Sequence, residues 1–323
     1  MSCAIIIPCI NVDHETNLCI KKSLKQKNIK IKIYIVSDKK IIRQKKDKRI
    51  KYLSYGPINM SEKRNKAVNV CKEKYIAFID SDAYPSSSWV ANGVKILKEN
   101  KKIGLVSGPD LPFPQQKGWQ KTIGLAHKSF WLSGSKVYRK DVGKSLYCAQ
   151  VSSCNMILKK STYKEVNGMN KNIYIAEDAD FCNRIRKKYK IWHSSKVKIF
   201  HKTRNFIPFL MQRYSYGTCI FDVFNHSKFF TNIQYIVPLI ISLFFFTFPF
   251  IFVSEIYKYI YYFIFIIFSL NFTYEAFKCS KNLFNIFKII IIFYLSILFF
   301  GLGSLMRIFN LTSNLKKIYT YRS

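Results

Sequence analysis

The stretch KYIAFIDSDAYP at residues 74–85 decides the fold. Its apolar half, residues 75–79, predicts a strand that is buried on both faces, and this strand ends at Asp80-Ser81-Asp82. Two carboxylates one residue apart at the end of a buried strand are costly unless a cation or hydrogen-bond donors meet them. In open α/β sheets, ligands bind at this carboxyl edge of the strands. Considered by itself, the motif fits an Asx-type turn as well as a site for a divalent cation that holds a diphosphate.

Short apolar runs before this stretch predict further strands. Residues 4–8 and 31–37 predict buried strands, residues 50–53 predict a weaker one, and helices are expected at about 18–26 and 61–71. This order of elements predicts a mostly parallel α/β sheet with right-handed crossovers and flanking helices. The chain has no G-x-G-x-x-G after the first strand and no G-x-x-x-x-G-K-[ST], which argues against a dinucleotide oxidoreductase and a P-loop NTPase.

The chain after residue 85 continues this pattern and then becomes irregular. Residues 108–150, rich in Pro and Gly, are expected to form an elaborated loop region over the sheet edge, where substrate contacts are common. The remaining predicted elements are a helix at 89–99, strands at 103–107 and 151–158, a helix at 161–166, and a strand at 196–200 that closes on His201.

Glu177 and Asp178 form a second acidic motif. Because Phe181, Cys182 and Ile185 share one face of a predicted helix, both carboxylates lie at its N-terminal end. There the helix dipole stabilises an anion by about 0.3–1 kcal/mol. The pair is compatible with a simple acidic N-cap and with a catalytic role.

The formal net charge of +35 comes from 53 Lys and Arg against 18 Asp and Glu. Nucleic acid, an anionic membrane surface together with a phosphorylated substrate, and compositional drift toward Lys, Ile, Asn, Phe and Tyr each account for such an excess. No zinc-finger, RRM-like or basic-helix pattern accompanies the charge, so drift together with a membrane surface is favoured and no nucleic-acid partner is predicted.

The nine cysteines show no C-x-x-C and no spacing typical of a zinc site or a disulfide framework, which indicates a reducing compartment. The N-terminus begins with a strand-like run and carries no signal peptide. The soluble part is therefore expected in the cytoplasm.

Three apolar stretches follow, at about 235–253, 256–272 and 286–309. The first and third are long enough to span a bilayer, which takes about 20 residues, and the second is near the short end. With the soluble part in the cytoplasm, the loop that carries Lys278 and Lys281 is also cytoplasmic, as the positive-inside rule prefers. A third full span would place the C-terminal cations outside, against that rule, so the number of spans stays open between two and three.

A helix is also predicted at 206–217, just before these stretches. Phe206, Phe209, Leu210 and Tyr214 fall near one side of it. This arrangement suits an interfacial helix at a membrane surface and equally a helix packed on the sheet.

The order of these motifs resembles the family 2 glycosyltransferases, which have the GT-A fold. The resemblance covers about residues 3–220. It rests on the order and spacing of short sequence motifs, called marks below, each of which is weak evidence by itself. The main marks are Ile5-Ile6-Ile7-Pro8-Cys9-Ile10-Asn11, Val36-Ser37-Asp38, Arg64-Asn65, Phe78-Ile79-Asp80-Ser81-Asp82 and Glu177-Asp178. Further marks agree with membrane-tethered bacterial members: Gly108-Pro109-Asp110, Ser153-Cys154-Asn155, Val166-Asn167-Gly168-Met169, residues 197–201, Arg213-Tyr214 and Tyr216-Gly217.

The resemblance implies a set of donor contacts. Asp38 would recognise the nucleobase, Arg64 would lie near the base and diphosphate, and Asp80 would contact the nucleoside. The full predicted donor-binding set is Pro8, Asn11, Asp38, Arg64, Asp80 and Ser81.

It also implies a metal site and a base. Asp82 would ligate Mg²⁺ or Mn²⁺ on the diphosphate, and His201 matches a position that can complete that site, with a surface histidine as the alternative reading. Asp178 would be the general base for inverting transfer. The predicted acceptor-binding residues are Glu177, Asn155 and Arg213.

Two segments depart from the family pattern. Ser37-Asp38-Lys39-Lys40 stands where two acids and a Gly-Ser turn are common, and Asn167-Gly168-Met169 replaces the usual Gly-Gly-Phe. The chain also has no Q-x-x-R-W, which argues against a processive polysaccharide synthase.

The expected protein is a GT-A domain at 1–220 followed by a membrane domain at 221–323, in the inner membrane with the catalytic domain facing the cytoplasm. It would transfer a sugar from a nucleotide-diphosphate sugar to a hydroxyl of a lipid-linked glycan acceptor in cell-envelope polysaccharide synthesis. Two alternatives stay open: a polyprenyl-phosphate sugar synthase and a non-catalytic membrane scaffold with the GT-A shape.

Overall fold

The computed structural model describes residues 1–41, 46–134, 138, 141, 143–173, 176–218 and 233–309. These residues form two compact units. Unit 1 contains the described residues of 1–113 and 136–202, and unit 2 contains those of 114–135 and 203–314. Residues 114–135 and 203–218 group with the apolar helices in unit 2. The expected domain boundary at residue 220 stays a prediction.

The strands all lie in unit 1 and the helices are divided between the units. In chain order the strands are β1 (Ser2–Pro8), β2 (Lys30–Ser37), β3 (Ile50–Ser54), β4 (Tyr75–Phe78), β5 (Ala83–Pro85), β6 (Ile103–Ser107), β7 (Asp110–Pro112), β8 (Leu146–Tyr147), β9 (Met156–Lys159), β10 (Lys190–His193) and β11 (Ile199–His201). The helices are α1 (His14–Ser23), α2 (Met60–Val70), α3 (Trp89–Glu99), α4 (Gly118–Ala126), α5 (Phe130–Ser133), α6 (Lys160–Glu165), α7 (Glu177–Arg186), α8 (Phe206–Thr218), α9 (Ile233–Phe246), α10 (Glu255–Cys279) and α11 (Leu283–Ile308), with a 3₁₀ helix at Phe248–Phe252.

The main sheet has the strand order β3-β2-β1-β4-β9-β6-β10-β8. β1 pairs in parallel with β2 on one side and with β4 on the other, and it is buried from Cys3 to Pro8. Alternate β1 side chains enter two apolar clusters, one with residues of α1 and α3 and the other with residues of α2 and α7. A strand covered on both faces must be apolar throughout, which is the pattern that the sequence shows. The predicted mostly parallel α/β sheet with flanking helices is confirmed.

Two predicted strands differ from the observed ones. The strand expected at 151–158 is β9, Met156–Lys159, which lies antiparallel between β4 and β6. The strand expected at 196–200 begins only at Ile199. β10 was not predicted, since its sequence KIWH is short and half polar.

A second sheet of order β5-β11-β7 lies beside the main one in unit 1. His201 of β11 is in register with Ala83 of β5 and with Pro112 of β7. Asp82 directly precedes Ala83, and Asp110 lies two residues before Pro112 in β7, so both carboxylates are brought to the same histidine.

Unit 2 contains two helices that are long and apolar enough to cross a membrane, α10 with 25 residues and α11 with 26, among the residues described. The expected spans differ from these in one respect. The stretch at 235–253 forms α9 and the short 3₁₀ helix rather than one long helix, whereas the stretch at 256–272 is part of the long α10. Pro249 lies in the first turn of the 3₁₀ helix, where its missing N–H leaves no helical hydrogen bond unmade.

α8 packs against α11 within unit 2. Phe209 and Leu210 are buried in one apolar cluster with Ile289 and Phe293. At the other end of α8 the backbones approach closely, and the Ser304 hydroxyl donates a 3.4 Å hydrogen bond to the Gly217 carbonyl. This approach requires small residues at the contact.

Gly303→Ala is expected to destabilise unit 2 by about 1–3 kcal/mol, the usual cost of overpacking. A Cβ at this position would lie 2.0 Å from the Tyr214 carbonyl oxygen, and a backbone atom cannot turn aside. The melting temperature of the full chain in detergent should fall. Leu302→Ala, at a side chain 42% exposed, is the control and should change the melting temperature much less. Equal shifts in the two variants would show that the close approach of the helices is not limiting.

Candidate active site

The acidic motifs found in the sequence lie at one edge of the main sheet. β1, β2 and β4 run in the same direction, so their carboxyl ends meet there. Asp38 follows β2 directly, and Asp80 and Asp82 follow β4. Pro8 is the last residue of β1, and Asn11 is exposed three residues later.

Asp38 is held by a buried lysine that the sequence analysis did not identify. The Lys63 ammonium lies 2.7 Å from Asp38 Oδ1 and donates a 2.7 Å hydrogen bond to the Cys9 carbonyl. The Lys63 side chain is only 1% exposed, so its charge needs both partners. Asp38, which is predicted to contact the nucleobase, is thus held in place by an internal ion pair with Lys63.

Arg64 joins the Asp80-Ser81-Asp82 motif to the Glu177-Asp178 motif. Its guanidinium donates a 2.8 Å hydrogen bond to Asp80 Oδ1 and lies 3.7 Å from Glu177 Oε1. The Arg64 side chain is 2% exposed. Its observed role is therefore to bridge two carboxylates, and a contact of Arg64 with the donor stays a prediction.

His201 lies between two carboxylates. Its Nε2 is 3.0 Å from Asp82 Oδ1, and its Nδ1 is 3.7 Å from Asp110 Oδ1. Burial lowers the pKa of His201, but Asp82 and Asp110 outweigh that effect and raise it to about 9. The surface-histidine reading does not fit, because the imidazole is only 13% exposed.

Asp80, Asp82 and His201 each offer one ligand atom, and these atoms lie within 4.8 Å of one another. Two carboxylate oxygens and one imidazole nitrogen suit Mg²⁺ or Mn²⁺ better than a soft ion. The carboxylates around His201 concentrate negative charge that a bound cation would offset, and the imidazole would bind the cation in its neutral form. The residues present therefore fit a divalent cation at this position.

The Glu177-Asp178 motif begins α7 as predicted. Ala176, the N-cap, has φ 64°, a left-handed conformation that is unfavourable for a residue with a Cβ and is found at functional turns. Asp178 is half-buried, and its Oδ1 accepts a 2.8 Å hydrogen bond from the Ala179 amide. Burial raises the pKa of Glu177, Asp178 raises it further, and Arg64 lowers it. The net effect raises the pKa of the Glu177 carboxyl to about 7.

An arginine on the same helix fixes the orientation of α7. Arg184 forms an ion pair with Asp180, at 2.6 Å, and donates to the carbonyl of Gly168, also at 2.6 Å. Asn65 binds the same turn, donating a 2.8 Å hydrogen bond to the Met169 carbonyl. The Asn167-Gly168-Met169 segment therefore has a structural role, since it ties α2 to α7.

The predicted role of Asn155 in acceptor binding is corrected. Asn155 is fully buried. Its amide nitrogen donates to the carbonyls of Gly108 and Val197, at 3.1 and 3.0 Å, and its oxygen accepts from the Trp89 indole at 2.8 Å. A fully buried side chain bonded at both ends holds the loops together and does not meet a substrate.

Arg213 belongs to unit 2, where its guanidinium lies 4.8 Å from the ring centre of Phe209 and 5.5 Å from that of Tyr216. Ser81 is half-buried between Asp80 and Asp82. The role of Arg213 in acceptor binding and the role of Ser81 in donor binding stay predictions.

Lys63 and Asp110 are the residues of the site to which the sequence analysis assigned no role. Lys63 precedes the buried Ala67 by four positions, and Arg64 precedes Val68 by four, so helical periodicity places both cations on the buried side of α2. That signal is readable from the sequence. Asp110 stands in the Gly108-Pro109-Asp110 mark, but its approach to His201 depends on the pairing of β7 with β11.

Comparisons with known proteins give the following findings. The family model described as glycosyl transferase family 2 matches residues 4–166. A crystal structure of S. aureus TarS 1–349 has a TM-score of 0.47 and 13% identity, covering 71% of this chain and 67% of that one. A further crystal structure of S. aureus TarS has a TM-score of 0.44 and 15% identity, covering 68% of this chain and 40% of that one. The structure of S. aureus TarS 1–349 in complex with UDP-GlcNAc has a TM-score of 0.46 and 14% identity, covering 64% of this chain and 60% of that one. No curated protein matches the sequence.

Proposed function

The chain belongs to glycosyl transferase family 2, and on that basis we propose that it transfers a sugar from a nucleotide-diphosphate sugar to an acceptor hydroxyl with inversion. The observation that carries the proposal is the link made by Arg64. It joins Asp80, beside the candidate metal site, to Glu177, beside the candidate base. A donor end and an acceptor end of one reaction are thereby held in a single ionic network.

The donor end consists of Asp38 with Lys63 for the nucleobase and Asp80 for the nucleoside. Asp82 and His201 would hold a divalent cation, with Asp80 beside them, and when bound this cation offsets the charge that develops on the leaving diphosphate. Asp110 faces the other nitrogen of His201 and orients the ring.

The acceptor end consists of Glu177 and Asp178. Asp178 accepts the proton of the acceptor hydroxyl while the hydroxyl oxygen forms a bond to the anomeric carbon. The bond from that carbon to the diphosphate oxygen breaks on the opposite face, and its electron pair leaves with the nucleoside diphosphate. A single base with one displacement accounts for inversion. Glu177, held by Arg64, positions the acceptor.

We further propose that unit 1 with the residues up to 220 is the catalytic domain and that the remainder associates with a membrane through α10 and α11. The acceptor is then a glycan on a lipid, and the site faces the cytoplasm of a cell whose envelope polysaccharide it helps to build. The apolar length of the two helices supports the membrane part of this proposal.

The full chain in detergent tests the donor class. Nucleotide sugars that differ in base and sugar are screened by thermal shift with Mn²⁺, because a bound donor stabilises the fold by mass action, by about 2.7 kcal/mol at 100 times its Kd. We expect at least one donor to raise the melting temperature and a chelator to abolish both the shift and the transfer. Transfer that is insensitive to the chelator would contradict the metal site. Transfer to bare polyprenyl phosphate, and not to short lipid-linked glycans, would identify a polyprenyl-phosphate sugar synthase.

A further inference from the structure

One end of unit 2 carries a concentration of positive charge. α10 and α11 are joined by residues 280–282, so the C-terminal end of α10 and the N-terminal end of α11 lie together. The cations at this end form what we term the basic collar: Lys117, Lys121, Lys128, Arg204, Lys278, Lys281 and Lys288. Among the described residues Glu275 is the acid at this end, and it pairs with Lys278 at 2.8 Å.

The α4–α5 segment belongs to this end through specific contacts. The Thr122 hydroxyl donates to Asn285 of α11 at 3.2 Å, and the Trp131 indole donates to Asn271 of α10 at 2.7 Å. The Lys288 ammonium lies 4.7 Å from the ring centre of Trp119. Residues 117–133 belong to the stretch 108–150, which was expected to form an elaborated loop region over the sheet edge, and they pack on the two long apolar helices.

Aromatic and apolar side chains at the same end are exposed. Phe130 is 61% exposed, Tyr274 60%, Phe284 65% and Phe287 63%. Rings exposed beside lysines at the end of an apolar helix are typical of a membrane interface, where a ring enters the headgroup layer and the ammonium stays in water.

The opposite end of unit 2 also exposes aromatic rings, but among the described residues it carries fewer cations. Its described charges are Glu255 and Lys258 at the start of α10 and Arg307 at the end of α11. Glu255 and Lys258 pair at 3.2 Å. Among the residues that the structure describes, the positive charge of unit 2 is therefore concentrated at the collar end.

We propose that the basic collar binds the headgroups of anionic phospholipids and that α4–α5 is a membrane-interface element. Charge complementarity selects this occupant, because lysines beside a negative leaflet each add binding free energy while the rings enter the acyl boundary. The proposal rests on the membrane association proposed above and not on the chemistry of sugar transfer.

Tryptophan fluorescence tests the proposal. The full chain is reconstituted into vesicles of phosphatidylcholine and phosphatidylglycerol, with one of the two lipids brominated near the headgroup end of its acyl chains. Bromine quenches a tryptophan on contact, and Trp119 and Trp131 lie in unit 2 at the collar, whereas Trp89 and Trp192 lie in unit 1. A variant with Trp119→Phe and Trp131→Phe measures the background.

We expect brominated phosphatidylglycerol to quench the tryptophan fluorescence at least about fivefold more than brominated phosphatidylcholine does. Fivefold is the factor that one charge near an anionic surface contributes. The combined variant Lys117→Gln, Lys121→Gln, Lys281→Gln should lose most of this preference. The matched control Lys21→Gln, Lys95→Gln, Lys101→Gln removes the same amount of charge from exposed positions of unit 1. This control should keep the preference for phosphatidylglycerol. Added salt should weaken the preference.

Equal quenching by the two lipids, or a preference that survives in the collar variant, would overturn the proposal. Absence of quenching by either lipid in floated vesicles would do the same, since it would place the collar away from the bilayer. A chain that does not float with vesicles at all would contradict the membrane association. Donor binding, which is measured in detergent, is independent of both outcomes and tests the proposed sugar transfer separately.

Discussion

Asp178→Asn is expected to lower kcat for sugar transfer by about 10²–10⁴-fold, the usual contribution of a general base. The amide keeps the size of the carboxylate and can still accept the 2.8 Å hydrogen bond from the Ala179 amide, so α7 should begin at the same residue. What is lost is the lone pair that takes the proton of the acceptor hydroxyl. Donor affinity should be unchanged, because Asp178 belongs to the acceptor end.

Two measurements on the same sample check this expectation. Single-turnover transfer gives the rate of the chemical step, and the thermal shift caused by the nucleotide donor gives donor binding. Asp180→Asn is the control, since it makes the same substitution two residues further on the same helix at a carboxylate that pairs with Arg184. Full transfer by Asp178→Asn would remove this residue from the role of base, and an equal loss in both variants would attribute the effect to the helix.

Arg64→Met is expected to be the most damaging change to the stability of unit 1, costing about 3–5 kcal/mol. The methionine fills the buried space but leaves Asp80 and Glu177 without the cation between them. Two carboxylates that lose their partner inside a protein must take up protons or draw in water, and both are unfavourable. The pKa of Glu177, which Arg64 lowers, should therefore rise further.

The melting temperature of the full chain should fall by about 6–20 °C, at about 2–4 °C per kcal/mol for a domain of this size. Arg49→Met is the matched control, because Arg49 also pairs with an aspartate, Asp47, at 2.9 Å, but is 49% exposed. An exposed pair of this kind contributes about 0–1 kcal/mol. Similar melting temperatures for the two variants would show that the buried bridge does not carry the stability assigned to it.

Much of unit 1 is predictable from the sequence because its parallel strands are covered on both faces. Residues 4–8, 33–36 and 75–79 are apolar without interruption, and each ends at or next to a polar residue or a proline. Strand ends in such a sheet share one edge, so Asp38, Asp80 and Asp82 were expected together there. The pattern is local, and the sequence therefore contains it.

The antiparallel and short strands were harder to predict for the opposite reason. β9, β10 and β11 have three or four residues each, too few to show a period, and their pairing partners lie far away in the chain. The surroundings of Asn155 were equally hidden in the sequence. Its place in a motif that resembles the family pattern suggested a substrate contact, but its side chain is buried and forms hydrogen bonds through both its oxygen and its nitrogen.

By itself the sequence determined the fold class, the acidic motifs, the start of α7 and the presence of apolar C-terminal helices, because each depends on residues that are close together in the chain. Only the tertiary structure showed that Arg64 bridges two motifs, that Lys63 pairs with Asp38, and that Asp110 meets His201. It also showed that α4 and α5 pack with the apolar helices of unit 2. These facts depend on which distant segments pack together. That choice is made by the summed burial and charge pairing of many residues, and no short stretch of sequence records it.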